Sequence, residues 1–233
     1  PPRSTLFPYT TLFRSSGIAH EINNPLTGVL SYGTVLYEEI KDPGYRADLK
    51  VIIDETLRCR EIVKGILDFA RETKIDLRPA NINKIINELF TILEKHVTFH
   101  NIRIKKDLAE GLPDISLDVN QIKQVLNNLA VNAADAMSAG GDLTVRTRYN
   151  EHSKKIVVAV SDTGSGISKE NITKIFDPFY TTKETGKGTG LGLSVTYGII
   201  QRHNGTIKVD SVPGAGTTFT IEFPVDAEQN QAV

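Results

Sequence analysis

Thr181-Thr182-Lys183-Glu184-Thr185-Gly186-Lys187-Gly188-Thr189-Gly190-Leu191-Gly192-Leu193 carries glycine at every second position from 186 to 192. That is more backbone freedom than a connecting loop needs. Loops of this kind fold main-chain amides around phosphate and stay mobile when empty. The next helix begins near Leu191, so its free N–H groups and the positive end of its dipole face the same anion. Gly186, Gly188, Thr189, Gly190, Leu191 and Gly192 are therefore candidate phosphate-cradling positions. The Gly-Lys-Ser/Thr ending of a Walker-type loop is absent, which sets P-loop folds aside. Lys183 and Lys187 lie in this segment and could meet γ-phosphate charge, although solvated loop lysines explain each one singly as well.

Upstream lies Asp162-Thr163-Gly164-Ser165-Gly166, which closes a strand. A carboxylate there can accept a hydrogen bond from an exocyclic amine such as that of adenine. Gly164 and Gly166 let backbone approach a flat ring. Taken alone, a tight turn after a strand explains the same residues. Further upstream, Asn128-Leu129-Ala130-Val131-Asn132-Ala133-Ala134-Asp135-Ala136 places Asn128 and Asn132 four apart, on one face of a helix. Amide oxygens are hard neutral ligands suited to Mg²⁺. Two aligned asparagines can equally be a solvated face.

Near the N-terminus, His20-Glu21-Ile22-Asn23-Asn24-Pro25-Leu26 offers a nucleophile beside a carboxylate. A histidine of pKa about 6.5 is mostly neutral at cytosolic pH and can attack phosphorus. Glu21 can hold or remove the proton on the other ring nitrogen. Asn24 shares the His20 face and can orient a water. A lone histidine on a helix is otherwise surface decoration. This block lies on a stretch, 17–40, whose apolar residues recur at three and four and predict an amphipathic helix, kinked at Pro25. Asp42-Pro43-Gly44 signals a turn, and 46–71 resumes the helical period. The expected antiparallel hairpin has more apolar surface than it can bury alone. Pairing two hairpins into a dimeric four-helix bundle would cover it; packing on the rest of the chain is the alternative.

Leu77-Arg78-Pro79-Ala80 reads as a linker. Beyond it, helices are expected over 82–95, 120–138, 168–175 and 191–203. Strands are expected over 102–107, 142–149, 155–161, 206–211 and 217–223, the second and third forming a hairpin. This pattern predicts an α+β two-layer sandwich. Cys59 reads as a half-buried filler. His96, His100, His152 and His203 have no metal-ligand spacing. Tyr32 and Tyr37 read as bundle packing or rim.

The 233 residues and net charge of −1 fit one or two domains with no general attraction to nucleic acid or anionic membrane. One cysteine excludes an internal disulfide. No apolar run approaches the roughly 20 residues of a spanning helix. Residues 1–15, PPRSTLFPYTTLFRS, resemble an in-frame translation of a short-read sequencing adapter; a natural irregular arm is the alternative. On the adapter reading the native chain begins near Ser16. A sensor, membrane span or relay helix upstream would then be missing from this sequence.

The blocks, in this order and spacing, resemble the phosphoacceptor and ATP-binding domains of bacterial two-component sensor histidine kinases, and most of all the nitrogen-regulation kind. HEINNPL resembles the H box, Asn128–Ala136 the N box, and Asp162–Gly166 the first glycine box. Phe176-Asp177-Pro178-Phe179 resembles the F box, Gly186–Leu193 the second glycine box, and Gly214-Ala215-Gly216-Thr217 the last. The resemblance implies a dimerisation and phosphotransfer hairpin over 16–72 and a linker over 73–80. It implies a GHKL-type ATP-binding domain over 81–226 and a polar tail over 227–233. It implies ATP and Mg²⁺ as cofactors, with His20 as phosphoacceptor, Glu21 as base and Asn24 as an aid to dephosphorylation. Asn132 would ligate Mg²⁺ with Asn128 beside it, and Asp162 would bind the adenine amine above Gly164 and Gly166. Gly188, Gly190 and Gly192 would hinge a lid anchored by the packing of Phe176 and Phe179. Gly214 and Gly216 would serve a turn.

The implied partners are a second copy of the chain and a response-regulator receiver domain. Nucleic acid is not expected, and membrane contact is expected only through the upstream region. The fragment itself is expected in the cytoplasm. Two rivals stand beside this reading. One is a GHKL ATPase without a phosphohistidine, which would want a glutamate in the N-box helix, where only Asp135 is found. The other is a dimeric scaffold that binds ATP without transferring phosphate.

Overall fold

The computed structural model describes residues 10–70, 75–183 and 188–225, with side chains outside 10–20, 61 and 64–70. The chain divides into two units: residues 1–73 with 179–192, and residues 74–178 with 193–233.

In the first unit, α1 (Thr10–Glu39) and α2 (Pro43–Ala70) form the expected hairpin. α1 runs through Pro25 without interruption and starts at Thr10, ahead of the start at 17 that periodicity predicts. The turn follows from local chemistry. Asp42 Oδ1 accepts the N–H groups of Gly44 and Tyr45 at 2.9 and 3.1 Å, capping α2 with Pro43 at its first position. Arg46 donates to the Ile40 carbonyl at 3.2 Å and lies 4.3 Å from the Tyr37 ring centre. Along α1 the less exposed positions Leu26, Leu30, Gly33, Tyr37 and Ile40 recur at intervals of four and three. A Cβ on Gly33 would stand 3.3 Å from Ile53 Cγ1, so the glycine lets the two helices approach closely. One residue out of phase, Ile22, Pro25, Val29, Tyr32 and Leu36 form a second row that stays exposed. On α2, Tyr45, Ile52 and Cys59 are exposed at intervals of seven. Cys59 is thus an exposed residue, not a half-buried filler, because its heptad phase faces away from α1.

The second unit is a helix-covered sheet. Its elements are β1 (Arg78–Ala80), α3 (Ile82–Leu93), β2 (Ile102–Leu108), β3 (Ile115–Leu117), α4 (Val119–Ala136) and β4 (Gly141–Asn150). β5 (Lys155–Asp162), α5 (Lys169–Ile172), α6 (Gly192–Arg202), β6 (Thr206–Val212) and β7 (Gly216–Pro224) follow. Five strands pair in the order β2-β4-β5-β7-β6, with β2 parallel to β4 and the other neighbours antiparallel. The α+β sandwich expected from the sequence is what forms. The supposed linker is a correction: Arg78–Ala80 pairs antiparallel with Leu117–Ile115 as a separate two-stranded ribbon. Three residues are too short for a period-2 pattern, and Pro79 weakens the strand signal. The helix expected over 168–175 shrinks to four residues.

Alternation sets the core. Ile156, Val158 and Val160 of β5 and Phe219, Ile221 and Phe223 of β7 point inward, as do Leu143 and Val145 of β4. Against them lie Ile122, Val125, Leu126 and Leu129 of α4, and α3 adds Ile82, Ile86 and Phe90. Asn81 caps α3 by accepting from Asn83 and Lys84 N–H. Asp118 caps α4 by accepting from Asn120 and Gln121, both at 3.1 Å. His203, only 5% exposed, joins the end of α6 to this cap: its Nε2 accepts the Asp118 N–H at 3.0 Å. Nδ1 therefore carries the ring proton and donates it to the Ile199 carbonyl at 2.8 Å.

Candidate functional site

The inward rows of the sheet end in polar residues at one end. β5 runs Ile156, Val158, Val160 and then Asp162, while β7 begins with Thr217 before Phe219. On β6, Ile207 and Val209 lead to Ser211. Register aligns the three: Asp162 pairs with Thr217, and Thr217 with Ser211. A carboxylate and two hydroxyls thus terminate the inward rows of three adjacent strands beside α4, the composition of a ligand site.

Asp162 is half-buried. Its Oδ1 accepts the Gly164 N–H at 2.8 Å and the Thr217 N–H at 3.3 Å. Both protein donors fall on one oxygen, which leaves Oδ2 for an external donor. Burial raises the Asp162 pKa, opposed by the two backbone hydrogen bonds. The loop after Asp162 is tied on both sides. Ser165 N–H donates to the Ala136 carbonyl at 3.0 Å, and Gly214 N–H donates to the Ser165 carbonyl at 2.7 Å. Ile167 N–H donates to Ser211 Oγ at 2.8 Å.

The glycines here make room for protein as well. A Cβ on Gly164 would lie 2.7 Å from Ala136 Cβ, so the loop abuts the end of α4. Gly166, at φ +69°, packs on the Val212 carbonyl, and Gly216, at φ +101°, on the Asp162 carbonyl. Gly214 sits in the β6–β7 turn at φ +78°, as expected.

On α4, Asn128 and Asn132 share a half-buried face, and Asn128 Nδ2 donates to Thr196 Oγ1 of α6 at 3.4 Å. Among the described residues no group of three or more His, Cys, Asp and Glu could hold a metal. A divalent cation here would rest on amide and phosphate oxygens, which is the donor set Mg²⁺ accepts.

The glycine-rich segment is described over 179–183 and 188–192; Gly186 and Lys187 lie outside the described residues. Its ends are clamped together. Phe179 N–H donates to the Gly190 carbonyl at 3.0 Å, and Gly190, at φ +68°, leaves no space between its Cα and the Phe179 carbonyl. Phe179 corrects the expectation of a side-chain anchor: the residue is 58% exposed, its φ is +67°, and its grip is through backbone. Phe176 does pack, 5.4 Å from the Tyr197 ring. Within the segment, Thr181 Oγ1 accepts the Lys183 N–H at 3.2 Å, and Thr189 Oγ1 accepts the Leu191 N–H at 3.4 Å. Lys183 is half-buried, Leu191 is buried, and α6 starts at Gly192, as the sequence implied.

His20 lies within α1 with Glu21 beside it and Asn24 one turn on; Glu21 and Asn24 are exposed. Ser211 and Thr217 were not among the expected site residues. The signal that would have found them is the polar residue closing each inward row.

The family model for histidine kinase-, DNA gyrase B- and HSP90-like ATPases matches residues 117–227, and that for the His Kinase A (phospho-acceptor) domain matches residues 15–74. The chain is 34% identical over 218 residues to the signal transduction histidine-protein kinase AtoS of Escherichia coli (strain K12), covering 94% of this chain and 35% of AtoS. It thus spans about a third of that relative. Among solved structures, the catalytic domain of histidine kinase ThkA aligns at TM-score 0.57 and 32% identity, over 64% of this chain and 96% of that domain. ThkA in complex with the response regulator protein TrrA aligns at TM-score 0.68 and 29% identity, over 93% of this chain and 62% of that one. Among the described residues no helix is long and apolar enough to cross a membrane.

Proposed function

This chain belongs to the two-component sensor histidine kinases, and we propose that it phosphorylates itself on His20 with ATP and passes the phosphoryl group to a response-regulator aspartate. The observation that carries the nucleotide half is Asp162. Its Oδ1 is held by two backbone N–H groups, and Oδ2 is left for the exocyclic amine of adenine. The glycines at 164 and 166 would let backbone approach the base, and the glycine spacing of 186–192 with Lys183 and Lys187 supplies the amides and charge that suit phosphates. Asn132, with Asn128 one turn before it, suits Mg²⁺, which when bound neutralises phosphate charge.

The chemistry is an in-line displacement. A ring nitrogen of His20 attacks the γ-phosphorus, an N–P bond forms, the bond to the β–γ bridging oxygen breaks, and ADP leaves. Glu21 takes the proton from the other ring nitrogen. In the second step an aspartate oxygen of the regulator attacks, and the N–P bond breaks. Asn24, on the His20 face of α1, orients a water for removal of phosphate from the regulator. The exposed rows on α1 and α2 support a homodimer, since a free hairpin would leave them in water. The need for ATP and a regulator supports a cytoplasmic setting for this portion of the protein.

The test is incubation with γ-labelled ATP and Mg²⁺. The expected product is an acid-labile, base-stable protein label that His20→Gln abolishes. Hydrolysis without a label would instead identify an ATPase, and nucleotide binding with neither would identify a scaffold.

A further inference from the structure

We propose that Ser211 is a positioning residue for nucleotide recognition: its hydroxyl fixes the Gly216–Thr217 peptide, and through that peptide the Asp162 carboxylate. The inference rests on Asp162 as the adenine-binding residue. Ser211 stands on β6, two strands from Asp162, in the row that register aligns through Thr217.

The hydroxyl has one proton and two lone pairs, and each is committed. It donates to the Gly216 carbonyl at 2.9 Å and accepts the Ile167 N–H at 2.8 Å. With its proton on Gly216, it must accept from the Thr217 hydroxyl in their 3.0 Å contact.

The Gly216 carbonyl and the Thr217 N–H belong to one planar peptide unit, so the bond that holds the carbonyl also aims the N–H. That N–H is one of the two donors on Asp162 Oδ1. Gly216, at φ +101°, has no side chain to restrict the peptide plane locally. To the pairing of Gly216 with Val212 on β6, the Ser211 hydroxyl adds a restriction from across the strand. A donor whose carbonyl is itself hydrogen-bonded is also more strongly polarised. The same oxygen, through Ile167, holds the far end of the loop that carries Asp162's other donor, the Gly164 N–H. One hydroxyl therefore sets the spacing of two donors that arise more than 50 positions apart in the chain.

The test uses the whole chain with Mg²⁺ and two nucleotides in calorimetric titration: ATP, and purine riboside triphosphate, which lacks the exocyclic amine. Wild-type protein is expected to prefer ATP. Ser211→Ala is expected to lose about tenfold in ATP affinity, the scale of a hydrogen bond to a charged group, with the amine-free nucleotide unchanged. Ser211→Thr, which keeps the hydroxyl, restores the preference. Ser211→Cys, close in size but a weak donor, gives the same loss and serves where the alanine variant does not fold. Asp162→Asn abolishes the preference.

An equal weakening of both nucleotides by Ser211→Ala would overturn the inference, since that is what general damage to the fold produces. An intact preference in Ser211→Ala, with Asp162→Asn losing it, would also overturn it while the adenine reading stands. An intact preference in Asp162→Asn would remove the adenine reading and the inference together.

Discussion

At the residue scale, the two most informative side chains titrate in opposite settings. Burial raises the Asp162 pKa, and two backbone donors that favour the charged carboxylate offset this only in part. Its charge therefore works against the fold at neutral pH, as expected of a group kept for a ligand. His203 is structural. Burial lowers its pKa below 6.5, and its neutral tautomer is fixed by an acceptor role toward Asp118 N–H and a donor role toward Ile199. The unfolded chain binds that proton more readily, so this contribution to stability is complete above about pH 6.5 and declines as the pH falls below it. Urea denaturation between about pH 8 and pH 5.5 is expected to show this decline. In His203→Ala the histidine part of the slope should vanish, with a loss of about 1–3 kcal/mol at neutral pH from the stranded Asp118 amide.

At the element scale, the segment from Phe179 to Gly190 is closed on itself by backbone. Gly190 occupies a left-handed conformation and lies against the Phe179 carbonyl. Gly190→Ala brings about 1–2 kcal/mol of conformational cost, and its methyl group would also overlap that carbonyl. The expected outcome is a loss of ATP-dependent labelling of about tenfold or more, with little change in the melting temperature of the sheet domain. Initial labelling rates and a thermal melt check both halves. Glycine spacing marked this segment as a candidate phosphate loop, but its clamp was not legible. A hydrogen bond between positions 179 and 190 depends on a turn geometry that no local pattern specifies.

At the scale of the whole molecule, the hairpin exposes a seam that a second hairpin can cover. Ile22, Val29 and Leu36 recur every seven residues on α1, each more than 40% exposed. Replacing all three with lysine should convert a dimer to monomers in light scattering, since each buried side chain contributes about 1.5–3 kcal/mol. Which molecule this is was readable from the chain. The order of the H, N, glycine and F blocks, the helical and period-2 runs, and the candidate pair His20 and Asp162 are local features. They follow from residue type and spacing, which the backbone expresses directly. The sequence alone did not determine which polar residues serve Asp162, why Gly164 and Gly166 lack side chains, or that β1 pairs with β3. Those answers needed register. Ser211, Thr217 and Asp162 are joined by hydrogen bonds between strands, and strand pairing is a non-local property that only the folded sheet specifies.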